Sequence, residues 1–392
     1  MKSIKDEHNL KQKKVLLRLD LNVPLDNGRI TDTTRIDKIL PTINFLLKND
    51  ANIIILSHVG RPKGKIIKEL SLDPICENLK KKLNKDIKLV RKTLNEIDSK
   101  NLFNNQNDKI IMLENIRFYK EEEENNNEFA KQLASLADIY VNEAFSCSHR
   151  AHASIFEITR FLPSYAGLQL SLEIDALTKI TSEIKKPVTC IIGGSKISTK
   201  INIIKNLIPK FDNIVIVGGM ANNILKYKGH NIGKSIQEDN CDRIIEEIFS
   251  LSKKGNCKII YPEDVAVGKS LNDSPIIKEA SKVSKDELIL DIGPRSIQVI
   301  NDLVEKSKTI LWNGPAGYFE NPDFAKGSVE IAKKITEKNK NNTIFSVAGG
   351  GDTVALLNSM NALNNFNFVS TAGGAFLEYL EGKELPGIKA LN

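Results

Sequence analysis

The feature that most constrains this chain is a repeated alternation. Short runs of consecutive apolar residues, rich in Ile, Val and Leu, are separated by segments whose apolar residues recur at helical spacing. The runs are Lys14–Leu21, Asn52–Leu56, Lys109–Leu113, Ile139–Val141, Val188–Ile192, Asn213–Val217, Lys258–Tyr261, Leu288–Asp291, Thr309–Trp312, Thr343–Val347 and Phe368–Ser370. Helical stretches between them include Arg35–Leu47, Asp73–Leu83, Glu128–Ala137, Glu238–Leu251 and Ala325–Glu337. A strand apolar at nearly every position must be covered on both faces. That is the condition of a parallel sheet, whose connections are crossover helices. The runs outnumber the strands of one ordinary sheet, and 392 residues are many for a single core. The fold class expected is α/β, as two doubly wound domains, each a parallel sheet covered by helices. A helix over Ser171–Lys185 follows the Pro- and Gly-marked stretch Pro163–Gly167 and ends before Pro187. The domains expected are therefore 1–170 and 186–384, with 171–185 as the joining helix.

Composition removes several classes. Hydrophobic residues are 41% and charged residues 27%, as in an ordinary globular protein. No apolar run reaches the roughly 20 residues of a membrane span, and MKSIKDEHNLKQKK at the N-terminus lacks the apolar segment of a secretory signal. A cytoplasmic protein is expected. The five cysteines are scattered without a C-x-x-C pair, which gives neither a disulfide framework nor a zinc site. A net charge of +7 suits nucleic acid, a membrane surface or a small polyanion, but no RNA-binding or zinc-finger pattern accompanies it. Small-molecule substrates are expected, with no nucleic acid and no membrane partner. Gly233-Lys234-Ser235 and Gly268-Lys269-Ser270 resemble the ends of phosphate-binding loops, yet the required earlier glycines are replaced by Lys228 and Glu263.

The two halves carry different groups at their strand ends. In the first half these are mostly cationic: Arg18 with Asp20, Arg35, His58 with Arg61, Arg117, and His149, Arg150 and His152. Ligands of open α/β sheets lie beyond the carboxyl ends of the strands, and arginine suits phosphate and carboxylate. Taken singly, each arginine is more often a surface or salt-bridging residue and each histidine a structural one, but several arginines at successive strand ends are hard to call incidental. In the second half the strand ends are glycine-rich: Gly193-Gly194, Gly218-Gly219, Gly314-Pro315 and Gly349–Gly351. In SVAGGGDTVALL, Ser346–Leu357, glycines before a helix N-terminus make an anion cradle. The alternative there is a tight turn with Asp352 as N-cap. Lys196 and Lys200, spaced i and i+4, are expected on one face of the helix after the first glycine pair. Glu121–Glu128 reads as a solvated loop and helix start.

In order, RLDLNVP (Arg18–Pro24), ITDTTRI (Ile30–Ile36), SHVGRP (Ser57–Pro62), LENIRF (Leu113–Phe118), NEAFSCSHRAHAS (Asn142–Ser154), GGSKISTK (Gly193–Lys200), LWNGPAGYFE (Leu311–Glu320), AGGGDT (Ala348–Thr353) and STAGGAFLEYLEGKELPG (Ser370–Gly387) resemble the motifs of phosphoglycerate kinases. The resemblance implies a glycolytic enzyme, monomeric, that transfers the acyl phosphate of 1,3-bisphosphoglycerate to MgADP and gives 3-phosphoglycerate and ATP. It implies that Asp20, Leu21, Asn22, Arg35, His58, Val59, Gly60, Arg61, Arg117 and Arg150 bind the triose. Lys200, Asn313, Glu320, Gly350, Gly351, Asp352 and Thr353 would bind ATP or ADP, with Glu320 on the ribose and Asp352 at Mg2+. Arg35, Lys196, Lys200 and Gly373 would act in catalysis, and the last residues, 385–392, would cross back to the N-terminal domain.

The residue chemistry agrees. Phosphoryl transfer needs alignment and neutralised charge. The acyl phosphate brings its own leaving group, so direct transfer with hinge closure is expected. Departures from the family pattern are Glu143 for Asp, Ser146-Cys147 for Gly-Thr, and Ala372 for a glycine, where alanine would be strained if the position needs positive φ. Two other readings compete. A non-catalytic anion- or nucleic-acid-binding protein leaves the glycine-rich half unexplained. A different nucleotide-dependent enzyme on a similar frame is set against ITDTTRI and SHVGRP.

Overall fold

The computed structural model describes residues 1–99, 101–103 and 109–392. The chain divides into two compact units, Met1–Ile174 with Glu384–Asn392, and Asp175–Lys383. The division falls inside a helix that runs Leu168–Thr181 rather than Ser171–Lys185. Its first amides donate to side chains distant in the sequence. The acceptors come from elsewhere: Thr42 Oγ1 accepts from the Leu168 N–H at 3.1 Å, and the Glu143 carboxylate accepts from Gln169 and Leu170, each at 2.9 Å. A cap supplied by tertiary contact leaves no mark next to the helix in sequence.

The first unit is built on a six-stranded sheet in the order Lys88–Val90, Ile110–Leu113, Asn52–Leu56, Lys14–Leu19, Ile139–Glu143, Ser164–Ala166. Every ladder is parallel. The central strands are buried almost throughout, which is why they read as continuous apolar runs. Helix Thr34–Lys48 covers the sheet with Ile36, Ile39, Ile43 and Leu46. Asp73–Leu83 is opened by Pro74 in its first turn and closed by Asn84 in the left-handed conformation. The chain end belongs to this unit. The Gly387 N–H donates to the Ser148 carbonyl at 2.9 Å, and a Cβ on Gly387 would lie 2.9 Å from Ser148 Cα, so glycine permits this approach.

The second unit has a six-stranded parallel sheet in the order Lys258–Ile260, Asn213–Ile216, Val188–Ile192, Thr309–Asn313, Phe345–Gly349, Phe368–Ser370. Beside it lies a three-stranded antiparallel sheet, Ile276–Glu279, Asp264–Gly268, Leu288–Ile292. The run at Leu288 therefore does not join the parallel sheet, as the sequence pattern suggested. Ile289 packs with Val265 and Val267, while Leu288 and Leu290 pack with Ala266 and Phe324. Burial on both sides makes an antiparallel strand look parallel in sequence.

Candidate active site

In the first unit four adjacent parallel strands end at one sheet edge, and the loops beyond them carry Arg117, His58, Asp20 and Ser146 to Arg150. Asp20 is 8% exposed. Its Oδ1 accepts from Arg35 Nη1 at 3.1 Å and from the Asn22 N–H at 3.3 Å, and its Oδ2 accepts from Ser146 Oγ at 2.6 Å. Arg35 Nη1 also donates to the Asn22 carbonyl at 3.0 Å. Asn22 Oδ1 accepts from the Gly60 N–H at 3.0 Å, and Arg117 Nη1 donates to the Gly60 carbonyl at 3.1 Å. One hydrogen-bonded chain thus joins Arg35, Asp20, Asn22, Gly60 and Arg117. Leu21 and Val59 are buried and act through backbone, the Leu21 N–H donating to Ser57 Oγ and the Val59 carbonyl accepting from Asn115 Nδ2. Arg61 and Arg150 are exposed, and Arg150 Nε donates to His149 Nε2 at 3.3 Å.

Arg18 is not in the crevice. It is fully buried and donates to Ser154 Oγ at 2.9 Å, the Leu19 carbonyl at 2.6 Å and His58 Nδ1 at 3.2 Å. Glu122, also fully buried, shares Ser154 with it and accepts from the Ser154 N–H at 2.8 Å and from Ser154 Oγ at 2.6 Å. Glu122 belongs to the acidic run read above as solvated. The other glutamates of that run are not buried, whereas Glu122 is, and Ser154 links it to Arg18. Because arginine only donates, His58 Nδ1 accepts, and the ring proton sits on Nε2. Burial first, and then Arg18 and Arg117, hold the His58 pKa well below its ordinary value, so the ring is neutral. Burial, Arg117 and Arg18 likewise push His152 down to about 3.

Glu143 lies at the end of strand Ile139–Glu143 and accepts from Thr42 and from the start of the Leu168–Thr181 helix. Its departure from the family pattern therefore bears on that helix start. Ser146 is the departure that touches a candidate site residue.

In the second unit the glycines are spent on close approach. A Cβ on Gly193 would sit 2.3 Å from the Pro315 carbonyl oxygen. Gly350, not Asp352, is the N-cap of helix Gly351–Ser359. Its φ is +97° and a Cβ there would meet Asn313 Nδ2 at 2.5 Å, so aspartate could not take the place. Asp352 is exposed in the first turn. Thr353 is buried, and its Oγ1 accepts from the Gly314 N–H at 2.7 Å, which fixes the neighbouring loop. Asn313 Nδ2 donates to the Gly349 carbonyl at 2.7 Å, while its Oδ1 and the Gly193 carbonyl accept from Lys200 Nζ.

Lys196 and Lys200 do not share a helix. Both lie in the turn that precedes helix Ile201–Leu207, of which Lys200 is the N-cap residue. The Gly, Ser and Thr residues of GGSKISTK favour that turn. Lys196 is exposed. Burial lowers the Lys200 pKa to about 8. Gly373 opens helix Gly373–Leu380 with open space where a Cβ would stand. Ala372 has φ −97° and carries no strain. A cavity of about 270 Å³ in this unit has apolar walls, including Leu225, Leu290, Tyr318 and Phe319, and is bordered by Gly194, Glu320 and Asp352.

One unit thus carries cationic loops at the edge of a parallel sheet, and the other carries glycine turns beside an apolar cavity. The family model for phosphoglycerate kinase matches residues 4–383. The phosphoglycerate kinase of Wolbachia pipientis from Culex pipiens is 46% identical over 387 residues, 98% of this chain and 97% of that one. That of Dictyoglomus turgidum is 45% identical over 390 residues, 99% and 97% of the two chains. The solved structure of phosphoglycerate kinase from Coxiella burnetii superposes with a TM-score of 0.91 at 39% identity, covering 99% of this chain and 98% of that one. The chain belongs to the phosphoglycerate kinase family.

Proposed function

We propose that this protein catalyses the reversible transfer of the acyl phosphate of 1,3-bisphosphoglycerate to MgADP, as a cytoplasmic, monomeric enzyme of glycolysis. The observation that carries the proposal is the cavity of the second unit, apolar where a nucleotide base would rest and bordered by Gly194, Glu320 and Asp352. Glu320 is then the acceptor for the ribose hydroxyls. The Gly350 and Gly351 amides and Lys200 face the phosphates, and in the first unit Arg35, Asn22, His58 and Arg117 hold the phosphoglycerate, with Arg61 and Arg150 adding charge. An exposed carboxylate at Asp352 is the single oxygen ligand that suits Mg2+ carried mainly by phosphates and water. Mg2+ bound there would neutralise phosphate charge.

In the transfer a β-phosphate oxygen of ADP forms a bond to the acyl phosphorus. The bond from phosphorus to the carboxyl oxygen breaks, and 3-phosphoglycerate leaves as a carboxylate. No proton need move, so no general base is required and no phosphoenzyme forms. Arg35, Lys200 and the open Gly373 amide supply positive charge to the transferring group. No folded-state role is needed for Lys196, whose exposed ammonium remains available to the phosphates.

The test is a coupled assay in which ATP and 3-phosphoglycerate are supplied and ADP formation is followed. Turnover is expected with 3-phosphoglycerate and absent without it. Well-folded protein that forms no ADP would leave only a binding protein or another nucleotide-dependent enzyme.

A further inference from the structure

We infer that Ser146 is a positioning residue that sets the affinity of the first unit for the phosphoglycerate by fixing the Asp20 carboxylate. The inference rests on the function proposed above.

Arg35 and the Asn22 amide both donate to the same oxygen of Asp20, Oδ1, at 3.1 and 3.3 Å. Held through one oxygen, a carboxylate still swings about its Cβ–Cγ bond. Ser146 Oγ is the donor on the other oxygen, at 2.6 Å, within the range of strong hydrogen bonds to an ionised acceptor. It takes one of the two acceptor positions of Oδ2 and leaves the second for a ligand hydroxyl.

The hydroxyl is presented by a rigid piece of chain. Phe145–Cys147 forms a 3-10 turn whose flanking Phe145 and Cys147 side chains are buried. The Ser148 N–H closes that turn on the Phe145 carbonyl at 2.9 Å, and the Ser148 carbonyl accepts from Gly387 of the chain end at 2.9 Å. Ser146 is therefore anchored by core packing and by the C-terminal segment, independently of Asp20. The aspartate in turn orients Arg35, the guanidinium assigned to the transferring phosphate.

Ser146→Ala and Ser146→Thr separate positioning from folding. Calorimetric titration with 3-phosphoglycerate and initial rates with ATP give the two readouts. For Ser146→Ala the Kd and KM for 3-phosphoglycerate should rise about tenfold, the lower end of the loss expected for one hydrogen bond to a charged acceptor. The KM for ATP should stay unchanged. Ser146→Thr, which keeps the hydroxyl, should restore affinity. An alanine variant with unaltered or tighter 3-phosphoglycerate binding overturns the inference, as does an equal rise in both KM values. Wild-type protein that binds no 3-phosphoglycerate removes the functional proposal itself, and this inference with it.

Discussion

Lys200 carries a charge into surroundings that resist it. Burial lowers its pKa to about 8, against 10.5 for an ordinary lysine, and the oxygens that accept from Nζ offset only part of the penalty. The sign has two consequences. Between pH 8 and 10.5 the unfolded chain binds the proton and the folded chain does not, so this residue destabilises the fold at neutral pH and the penalty fades as pH rises through that window. Activity goes the other way, because the ammonium is the form that faces phosphate. The kcat/KM for the nucleotide should fall above about pH 8, since that ratio reports the free enzyme. Lys200→Met should lower kcat on the order of 100-fold and abolish this alkaline limb. A full pH profile of both proteins checks it, and a limb that survives in the methionine variant would assign the titration elsewhere. At this scale the sequence motifs pointed to Asp20, Asn22 and Arg117, and the structure joins these three in one hydrogen-bonded chain through Gly60. They did not separate Arg18 from its neighbours, nor Glu122 from a run of glutamates, since which charge turns inward depends on Ser154 arriving from a distant loop.

Helix starts show most clearly what an element owes to remote residues. The helix Gly351–Ser359 was legible because its N-cap is a local glycine, and only the identity of the cap differed from the sequence alternative. The helix Leu168–Thr181 was misplaced because Glu143 and Thr42 supply its first acceptors. Burial raises the Glu143 pKa to about 6, and Thr42 and the helix amides pull against that rise. The folded chain thus holds this proton up to about pH 6 while the unfolded chain loses it near 4.5. The stability contributed by the site is complete below pH 4.5 and falls as pH climbs to 6. What remains above pH 6 is the hydrogen bonding of the carboxylate to the helix start. Glu143→Ala should leave two amides and a hydroxyl without an acceptor and remove about 2–3 kcal/mol. Differential scanning calorimetry at pH 7.5 should show a lower midpoint for the transition that includes this helix. An unchanged thermogram would mean that water replaces the carboxylate at no cost.

At the scale of the whole chain, two parallel-sheet units were readable from the alternation of apolar runs and helices. The order of strands in each sheet was not, because crossovers place Lys14–Leu19 and Thr309–Asn313 centrally for reasons of packing that periodicity does not encode. The consequence for function concerns distance. The proposed triose residues belong to one compact unit, and the proposed nucleotide residues to the other. Direct transfer requires the reacting atoms to approach to roughly 3–3.5 Å in line. A phosphoglycerate gripped by Arg35 and a nucleotide gripped by Lys200 would meet that condition where the two units bring their substrates together. The expected motion is a hinge closure, with the helix Leu168–Thr181 and the return of the chain near Glu384 as the pivots, and it should require both substrates, since either one alone contacts a single unit. Small-angle scattering should then give a smaller radius of gyration with 3-phosphoglycerate and an unreactive ATP analogue together than with either alone. Equal radii in all four states, free protein included, would remove closure from the mechanism while leaving the transfer chemistry in place.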